Sequence, residues 1–225
     1  MIVKIAAFTA EEQIAKIKEL LEPLEWRDGR ATAGKVAREV KRNLQAVMSD
    51  DAGQAIRTEL EPLIAQNRVV RAAARPRRIT PLMISKTSDD GHYGSHVDNA
   101  LMGKGKNRLR TDISFTLFLS NSADYEGGEL VIHSAGMTQV VSGDWGQLVL
   151  YPSTSIHEVK PVTSGERIVC VGWIESLIAD PAQRELMFDM ENMRTSIRQK
   201  LPAGSPELLT LDKSMSNLLR MWCEP

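Results

Sequence analysis

Three side chains of the sequence have the types and the spacing of a metal site. His96 and Asp98 are separated by one residue, so on a β-strand both point to the same face. His157 comes later, directly after a predicted strand at Gln147–Tyr151, and in a rolled sheet the two places can be neighbours. Two imidazoles and one carboxylate on one face of a cation form the ligand set of non-haem Fe(II) oxygenases. The same residues also suit a structural or hydrolytic Zn(II).

Arg167 adds a candidate anion site to this set. A turn across Pro161–Gly165 separates it from His157, so a strand–turn–strand arrangement places the two side by side. A guanidinium binds a carboxylate through two parallel hydrogen bonds. A dicarboxylic keto acid would supply that carboxylate at its far end and chelate iron at its near end. An arginine exposed on an edge strand is the alternative interpretation.

The elements that must position these residues are short strands. Apolar residues alternate with others from Ile113 to Leu119, which is the two-residue period of a strand. Further strands are predicted at Glu129–His133, Gln139–Val141, Gln147–Tyr151 and Arg167–Trp173. Turns such as Glu126–Gly128 separate them, and this punctuation favours an antiparallel sandwich or barrel.

Helical patterns flank the strands on both sides. Thr9 and Glu12 predict a capping box, and Asp180 followed by Pro181 predicts a later helix start. Apolar stripes at helical spacing run over Ile14–Leu24, Val36–Val47, Ile56–Ile64, Leu186–Ile197 and Leu208–Leu219. We therefore expect an N-terminal helical region at 1–77, a β domain at 78–177 and a C-terminal helical region at 178–225.

Composition excludes several classes of protein. The chain of 225 residues is 42% apolar with a net charge of −1, which excludes a disordered chain, a collagen-like fibre and a disulfide-knotted miniprotein. Its two cysteines, Cys170 and Cys223, build no disulfide framework. No apolar run has membrane-spanning length and the N-terminus has no secretory h-region. We expect a cytoplasmic protein without a membrane partner.

Two further surfaces bear on partners. A local basic cluster consists of Arg68, Arg71, Arg75, Arg77 and Arg78. It has no interleaved aromatic residues for base stacking, so a solvated edge or an interface is favoured over nucleic-acid binding. The apolar stripes of the helical extensions favour a homodimer, because exposed stripes must be covered.

Several motifs together resemble one family. They are Gly91–Ala100 (GHYGSHVDNA), Glu126–Leu130 (EGGEL), Tyr151–Arg167, Gly172–Ser176, Gln183–Phe188 and Asn217–Trp222. In combination they are similar to the PKHD-type hydroxylases, an iron-uptake-associated bacterial branch of the prolyl 4-hydroxylase-like Fe(II)/2-oxoglutarate dioxygenases. The resemblance runs from about residue 78 to the C-terminus.

The resemblance implies a double-stranded β-helix, a jelly-roll or cupin-like core flanked by N- and C-terminal helices. It implies His96, Asp98 and His157 as iron ligands, Arg167 as the partner of the 2-oxoglutarate carboxylate, O₂ as co-substrate and ascorbate as reductant. The reaction would hydroxylate an unidentified substrate, a peptidyl side chain or a siderophore-like small molecule.

One position departs from the family pattern. Relatives often carry a tyrosine about nine residues before the first iron-binding histidine, where this chain has Lys86-Thr87-Ser88. Thr87 or Tyr93 is therefore the candidate second contact to 2-oxoglutarate.

Other functions and roles stay open at this point. The alternatives are a non-enzymatic sensor that holds metal or 2-oxoglutarate, a nucleic-acid demethylase of the same superfamily, and a Zn(II) hydrolase. Asn99 is a candidate to orient Asp98 or an ordinary turn amide. We expect His92 in a turn and His133 at the surface.

Overall fold

The computed structural model describes residues 1–32 and 38–224, in which the strands form two facing antiparallel sheets and two separate two-stranded pairs. The helices of these ranges are α1 (Glu11–Leu21), α2 (Asp51–Ala65), α3 (Arg68–Ala74), α4 (Pro181–Arg198) and α5 (Pro206–Trp222). The strands are β1 (Val3–Ala6), β2 (Trp26–Asp28), β3 (Lys41–Arg42), β4 (Leu44–Ala46), β5 (Pro76–Ile79), β6 (Met83–Thr87), β7 (His92–His96), β8 (Leu101–Met102), β9 (Leu109–Arg110), β10 (Ile113–Phe118), β11 (Tyr125–Gly127), β12 (Leu130–Ser134), β13 (Met137–Val141), β14 (Gln147–Pro152), β15 (Ile156–Val159), β16 (Val162–Gly165) and β17 (Arg167–Ser176).

The larger sheet has β10 near its centre. Its order is β1-β14-β10-β17-β6-β4-β2, and β5 also pairs with β17. Every residue of β10 is buried. Phe115 and Leu117 belong to the core shared with the helices, while Ser114 and Thr116 line a cavity between the sheets. The polar positions of this alternating strand thus face an interior cavity, so the strand has no solvent face.

The smaller sheet covers the other side of that cavity. Its order is β13-β12-β15-β7-β3, and the pairs β11-β16 and β8-β9 stand apart from both sheets. Phe118, Leu130 and Val169 pack together where the two sheets meet. This is the predicted double-stranded β-helix, mainly β with helical extensions.

A layer of N-terminal helices packs on the outer face of the larger sheet. Ile17 of α1, together with Ile56 and Leu60 of α2, is completely buried against side chains such as Phe115. Each such side chain contributes about 1.5–3 kcal/mol by leaving water. The helices therefore hold the sheet whose inner face builds the cavity.

The C-terminal helices form a hairpin with a small core of its own. Met187 of α4 and Met215 of α5 pack on Ile178. The predicted start of α4 is confirmed: Asp180 accepts a hydrogen bond from the backbone of Gln183, and a proline stands in the first turn.

The end of the chain is bound back to the β domain. The Glu224 carboxylate lies 2.7 Å from Nη1 of Arg110 on β9, and the Glu224 backbone N–H donates to the Leu177 carbonyl. The C-terminal segment thus contacts β9, the second strand of the 101–110 hairpin.

Two local predictions are wrong. The described part of the stripe Val36–Val47 is helical only at residues 38–39, because Lys41–Arg42 and Leu44–Ala46 form β3 and β4; residues 36–37 lie outside the described residues. Helix α1 begins after Ala10, which makes no side-chain capping bond. The Thr9 hydroxyl is one residue too early for the predicted capping box.

The region 1–77 contributes strands as well as helices. β1 pairs with β14, β3 with β7 and β4 with β6, so residues near the N-terminus extend both sheets. The division at 77/78 and 177/178 stays a prediction.

Within the described ranges, no helix combines the length and the apolar character that a membrane crossing requires.

Candidate metal centre

The structure brings His96, Asp98 and His157 together on the inner face of the smaller sheet. His96 ends β7 and stands directly opposite His157 of β15 in the antiparallel register. Asp98 follows β7 after one residue, and the ligand atoms of the three side chains all lie within 4.8 Å of one another. This spacing lets one cation contact all three.

Hydrogen bonds fix both imidazoles with the same nitrogen inward. Nδ1 of His96 lies 2.8 Å from the Gly94 carbonyl oxygen, and Nδ1 of His157 lies 3.0 Å from that of Ser155. A carbonyl oxygen only accepts, so Nδ1 carries the proton in each ring and Nε2 presents its lone pair. This is the arrangement that orients histidine ligands at metal sites.

The carboxylate of Asp98 is held by a serine from the larger sheet. Ser114 Oγ donates to Asp98 Oδ2 at 2.6 Å and lies 2.8 Å from Ser153 Oγ. Asn99, the predicted candidate for this role, instead uses its backbone carbonyl to accept from the Thr111 hydroxyl. Ser114 therefore links the acidic ligand to the central strand β10.

The surroundings of His96 keep its ring neutral. Burial and the neighbouring His157 ring lower the pKa of His96 to about 4, and a neutral imidazole is the form that binds metal. The Tyr93 ring stacks on His96 at 3.6 Å between centroids, and the Tyr151 ring meets His157 edge-on at 5.1 Å. These aromatic walls separate the site from water.

Arg167 lies in the same cavity and is 2% exposed. Its Cζ lies 5.4 Å from the centroid of the Phe118 ring, and its Nε has no hydrogen-bond partner among the described residues. Burial lowers the pKa of Arg167, yet a guanidinium remains protonated at neutral pH. A buried cation with an unused donor is a site for an anion.

Thr87 stands directly opposite Arg167 in the pairing of β6 with β17. It is buried and lines the cavity. Opposite residues of a sheet share a face, so the hydroxyl and the guanidinium come from the same wall. Tyr93, the other candidate, stacks instead on His96.

Gly128 makes room for the Arg167 side chain. A Cβ at this position would lie 2.8 Å from Arg167 Cδ and 2.7 Å from Val162 Cγ2, and its φ is +69°. Both the space and the conformation require glycine here. The Glu126-Gly127-Gly128 motif is thus part of the arginine's support.

The cavity has a volume of about 120 Å³ and is lined by both polar and apolar side chains. Sequence reasoning missed several of its polar groups, among them Ser114 and Lys41. The serine had a signal, since it alternates with large apolar residues on β10, but Lys41 had none because its place depends on the pairing of β3 with β7. Burial lowers the pKa of Lys41 to about 8, opposed in part by the charges of Asp28 and Asp98.

The remaining predicted residues lie elsewhere. His133 is partly exposed on β12 and contacts Thr138, as expected of a surface histidine. His92 is not in the expected turn, because it is the first residue of β7. Its ring contacts the carbonyl of Asp90, and Asp90, with a φ of 59°, lies in the turn before the strand.

The basic cluster is partly bound within the chain. Arg78 donates to Glu175 at 2.6 Å and Arg75 lies 3.7 Å from Glu191. These two cations are therefore already compensated, which argues against a continuous phosphate-binding surface.

Comparisons with known proteins agree with this geometry. The family model of the 2OG-Fe(II) oxygenase superfamily matches residues 82–175, and that of the PKHD-type hydroxylase C-terminal domain matches residues 181–224. A PKHD-type hydroxylase of Hyphomonas neptunium is 49% identical, over 95% of this chain and 96% of its own length.

Solved structures share the fold. A 2OG-Fe(II) oxygenase-family oxidoreductase from Burkholderia pseudomallei aligns with a TM-score of 0.53 at 20% identity, covering 77% of this chain and 84% of its own. HygX from Streptomyces hygroscopicus, with nickel, 2-oxoglutarate and hygromycin B bound, aligns with a TM-score of 0.52 at 13% identity, covering 79% and 84%.

Proposed function

Because the chain belongs to the PKHD-type hydroxylase family of the 2OG-Fe(II) oxygenases, we propose that it uses Fe(II), 2-oxoglutarate and O₂ to hydroxylate a substrate. The observation that carries the proposal is the presence in one cavity of a two-histidine, one-carboxylate cluster and a buried arginine. The cluster fits a cation, and the arginine fits the dianionic co-substrate.

In this proposal His96, Asp98 and His157 hold the iron. Two neutral nitrogens and one carboxylate oxygen suit Fe(II) and leave its other positions open. They would also suit Zn(II), and the buried Arg167 favours the iron enzyme because it fits the far carboxylate of the 2-oxoglutarate co-substrate.

Arg167 and Thr87 bind the far carboxylate of 2-oxoglutarate. The unused Nε of Arg167 supports this role, and Thr87 on the opposite strand adds a hydroxyl from the same wall. Charge-assisted bonds from a guanidinium to a carboxylate are the strong ones. The pair would set the direction in which the co-substrate enters the cavity.

Iron with 2-oxoglutarate, when bound, supplies the oxidation of a C–H bond by O₂ with release of succinate and CO₂. The residues of this chain orient the metal ligands and exclude water from them. The carbonyls of Gly94 and Ser155 keep Nδ1 protonated on each ligand ring, and Ser114 holds Asp98 in place. Tyr93 and Tyr151 exclude water from the ligand side.

Finer points extend the proposal. The family resemblance supports ascorbate as the reductant that returns iron to Fe(II), a peptidyl or siderophore-like substrate and a link to iron uptake. The composition supports a cytoplasmic location, and the apolar stripes of the helical extensions support a homodimer. A metal or 2-oxoglutarate sensor without turnover is the competing function. Formation of succinate distinguishes the two.

The test is titration of the anaerobic Fe(II)-loaded chain with 2-oxoglutarate, followed by succinate measurement after O₂ is admitted. We expect a visible absorption band from the iron chelate and then succinate. Asp98→Ala should lose both, while His133→Ala, which removes a histidine at the surface, should keep both. Iron binding without a band, or succinate formation that survives Asp98→Ala, would reject the assignment.

A further inference from the structure

A second, more open depression adjoins the metal cavity. This basic groove has a volume of about 820 Å³. Its cationic lining residues are Arg30, Arg38, Lys41, Arg42 and Lys86, and its acidic ones are Asp28, Glu39 and Asp89. Arg30 is paired with Asp28 and Lys86 with Glu166, so the cationic excess of this surface comes from Arg38, Lys41 and Arg42 against Glu39 and Asp89, although the whole chain has a net charge of −1.

The basic groove and the metal cavity share part of their walls. Lys41 and Asn43 line both. Lys41 is 6% exposed and its Nζ lies 5.0 Å from the centroid of the Tyr93 ring, which in turn stacks on His96. A ligand in the basic groove thus lies next to the reacting centre.

A second cationic segment borders the cavity from another part of the chain. The β8–β9 hairpin contributes Met102 to the cavity wall. Its tip carries Lys104, Lys106 and Arg108, all exposed, and residues 101–110 include no acidic residue. Two segments of the same sign therefore border the same cavity.

We propose that the basic groove and the hairpin tip bind an acidic polypeptide segment, so that the substrate is a peptide or protein chain with carboxylates near the hydroxylated side chain. The inference rests on the proposed function and names its substrate class. Complementary charge steers such a chain to the opening and fixes its register.

An extended chain fits these features better than a small molecule. Among the described residues, the three tip cations line neither the cavity nor the basic groove, so only a ligand that continues beyond both can reach them. A nucleic acid would also be anionic, but the described lining of the basic groove holds no Phe, Tyr or Trp on which a base could stack.

The test measures fluorescence anisotropy of labelled hexaglutamate with the full chain, loaded with Fe(II) and 2-oxoglutarate under argon. We expect binding that weakens as ionic strength rises, because the Debye length falls from about 30 Å at 0.01 M to about 8 Å at 0.15 M. Arg38→Gln/Arg42→Gln and, separately, Lys104→Gln/Lys106→Gln/Arg108→Gln should each weaken binding by about two- to thirtyfold. Melting temperatures of the variants show that they fold.

The matched control is Arg68→Gln/Arg71→Gln, which removes two exposed cations of α3 that lie outside the described lining of the basic groove. It should leave binding within about twofold of the wild type. Absence of hexaglutamate binding, equal loss in control and groove variants, or tighter binding of a single-stranded oligonucleotide would overturn the proposal. Failure of the proposed function would show separately, as a missing iron–2-oxoglutarate band while hexaglutamate still binds.

Discussion

Replacing Arg167 with methionine should strongly lower the affinity for 2-oxoglutarate while it changes the stability of the ligand-free protein little. The guanidinium is 2% exposed and leaves Nε without a partner among the described residues. Removing one partner of a buried ion pair costs about 3–5 kcal/mol, so the dissociation constant for 2-oxoglutarate should rise by roughly two to four orders of magnitude. The ligand-free protein should lose little stability, because a buried charge without an anion is itself costly.

The assay is thermal unfolding with and without 2-oxoglutarate on the anaerobic Fe(II)-loaded chain. A ligand at one hundred times its dissociation constant stabilises by about 2.7 kcal/mol. For a chain of 225 residues this corresponds to a rise of roughly 5–10 °C in Tm. In Arg167→Met the same concentration should give about 1 °C, because the ratio of ligand to dissociation constant falls to about one or below.

A second buried arginine provides the control. Arg184 is 6% exposed and its Nη1 donates to the carbonyls of Ile178 and Ala179. Arg184→Met should lower the ligand-free Tm and keep the full rise with 2-oxoglutarate. A full rise in Arg167→Met would refute the assignment of this guanidinium to the co-substrate.

Three further outcomes follow from the same cavity. Ser114→Ala removes the 2.6 Å bond to Asp98 and should weaken Fe(II) binding about 10- to 100-fold, measured by metal titration; unchanged affinity would show that the serine does not orient the carboxylate. Thr87→Val should raise the KM for 2-oxoglutarate about two- to tenfold while Tyr93→Phe leaves it near the wild-type value, and the reverse order would transfer the second contact to Tyr93. Gly128→Ala places a methyl group 2.8 Å from Arg167 Cδ at a φ of +69°, so it should lower Tm and 2-oxoglutarate affinity together, and a variant equal to the wild type in both would contradict the packing.

The metal cluster was predictable because its signals are local. His96 and Asp98 are two residues apart and stay close although Asp98 lies beyond the end of β7. His157 comes after the predicted strand Gln147–Tyr151, and Arg167 begins the predicted strand Arg167–Trp173. That these four meet in one cavity agrees with the prediction, while their roles as ligands stay a prediction until metal and co-substrate binding are measured.

The short strands β3 and β4 were not predictable from local pattern. The interior next to β4 is polar, so Gln45 is buried at 8% exposure while Leu44 is 38% exposed. This inverted arrangement hides the strand period, and the apolar residues left over fall by chance at helical spacing. The contact of Ser114 with Asp98 and the place of Lys41 likewise depend on strand pairing across the sheets, which one sequence does not encode locally.

The two-sided burial of β10 also determines how the protein opens. The strand that carries Ser114 toward the metal ligands presents Phe115 and Leu117 to the helical layer, so the ligand cluster cannot be exposed through this strand without disturbing the main core. Amide hydrogens of β10 should therefore exchange only through global unfolding. Slow exchange at this strand would mean that the ligand cluster stays assembled for as long as the whole domain is folded, and that local fraying does not take it apart.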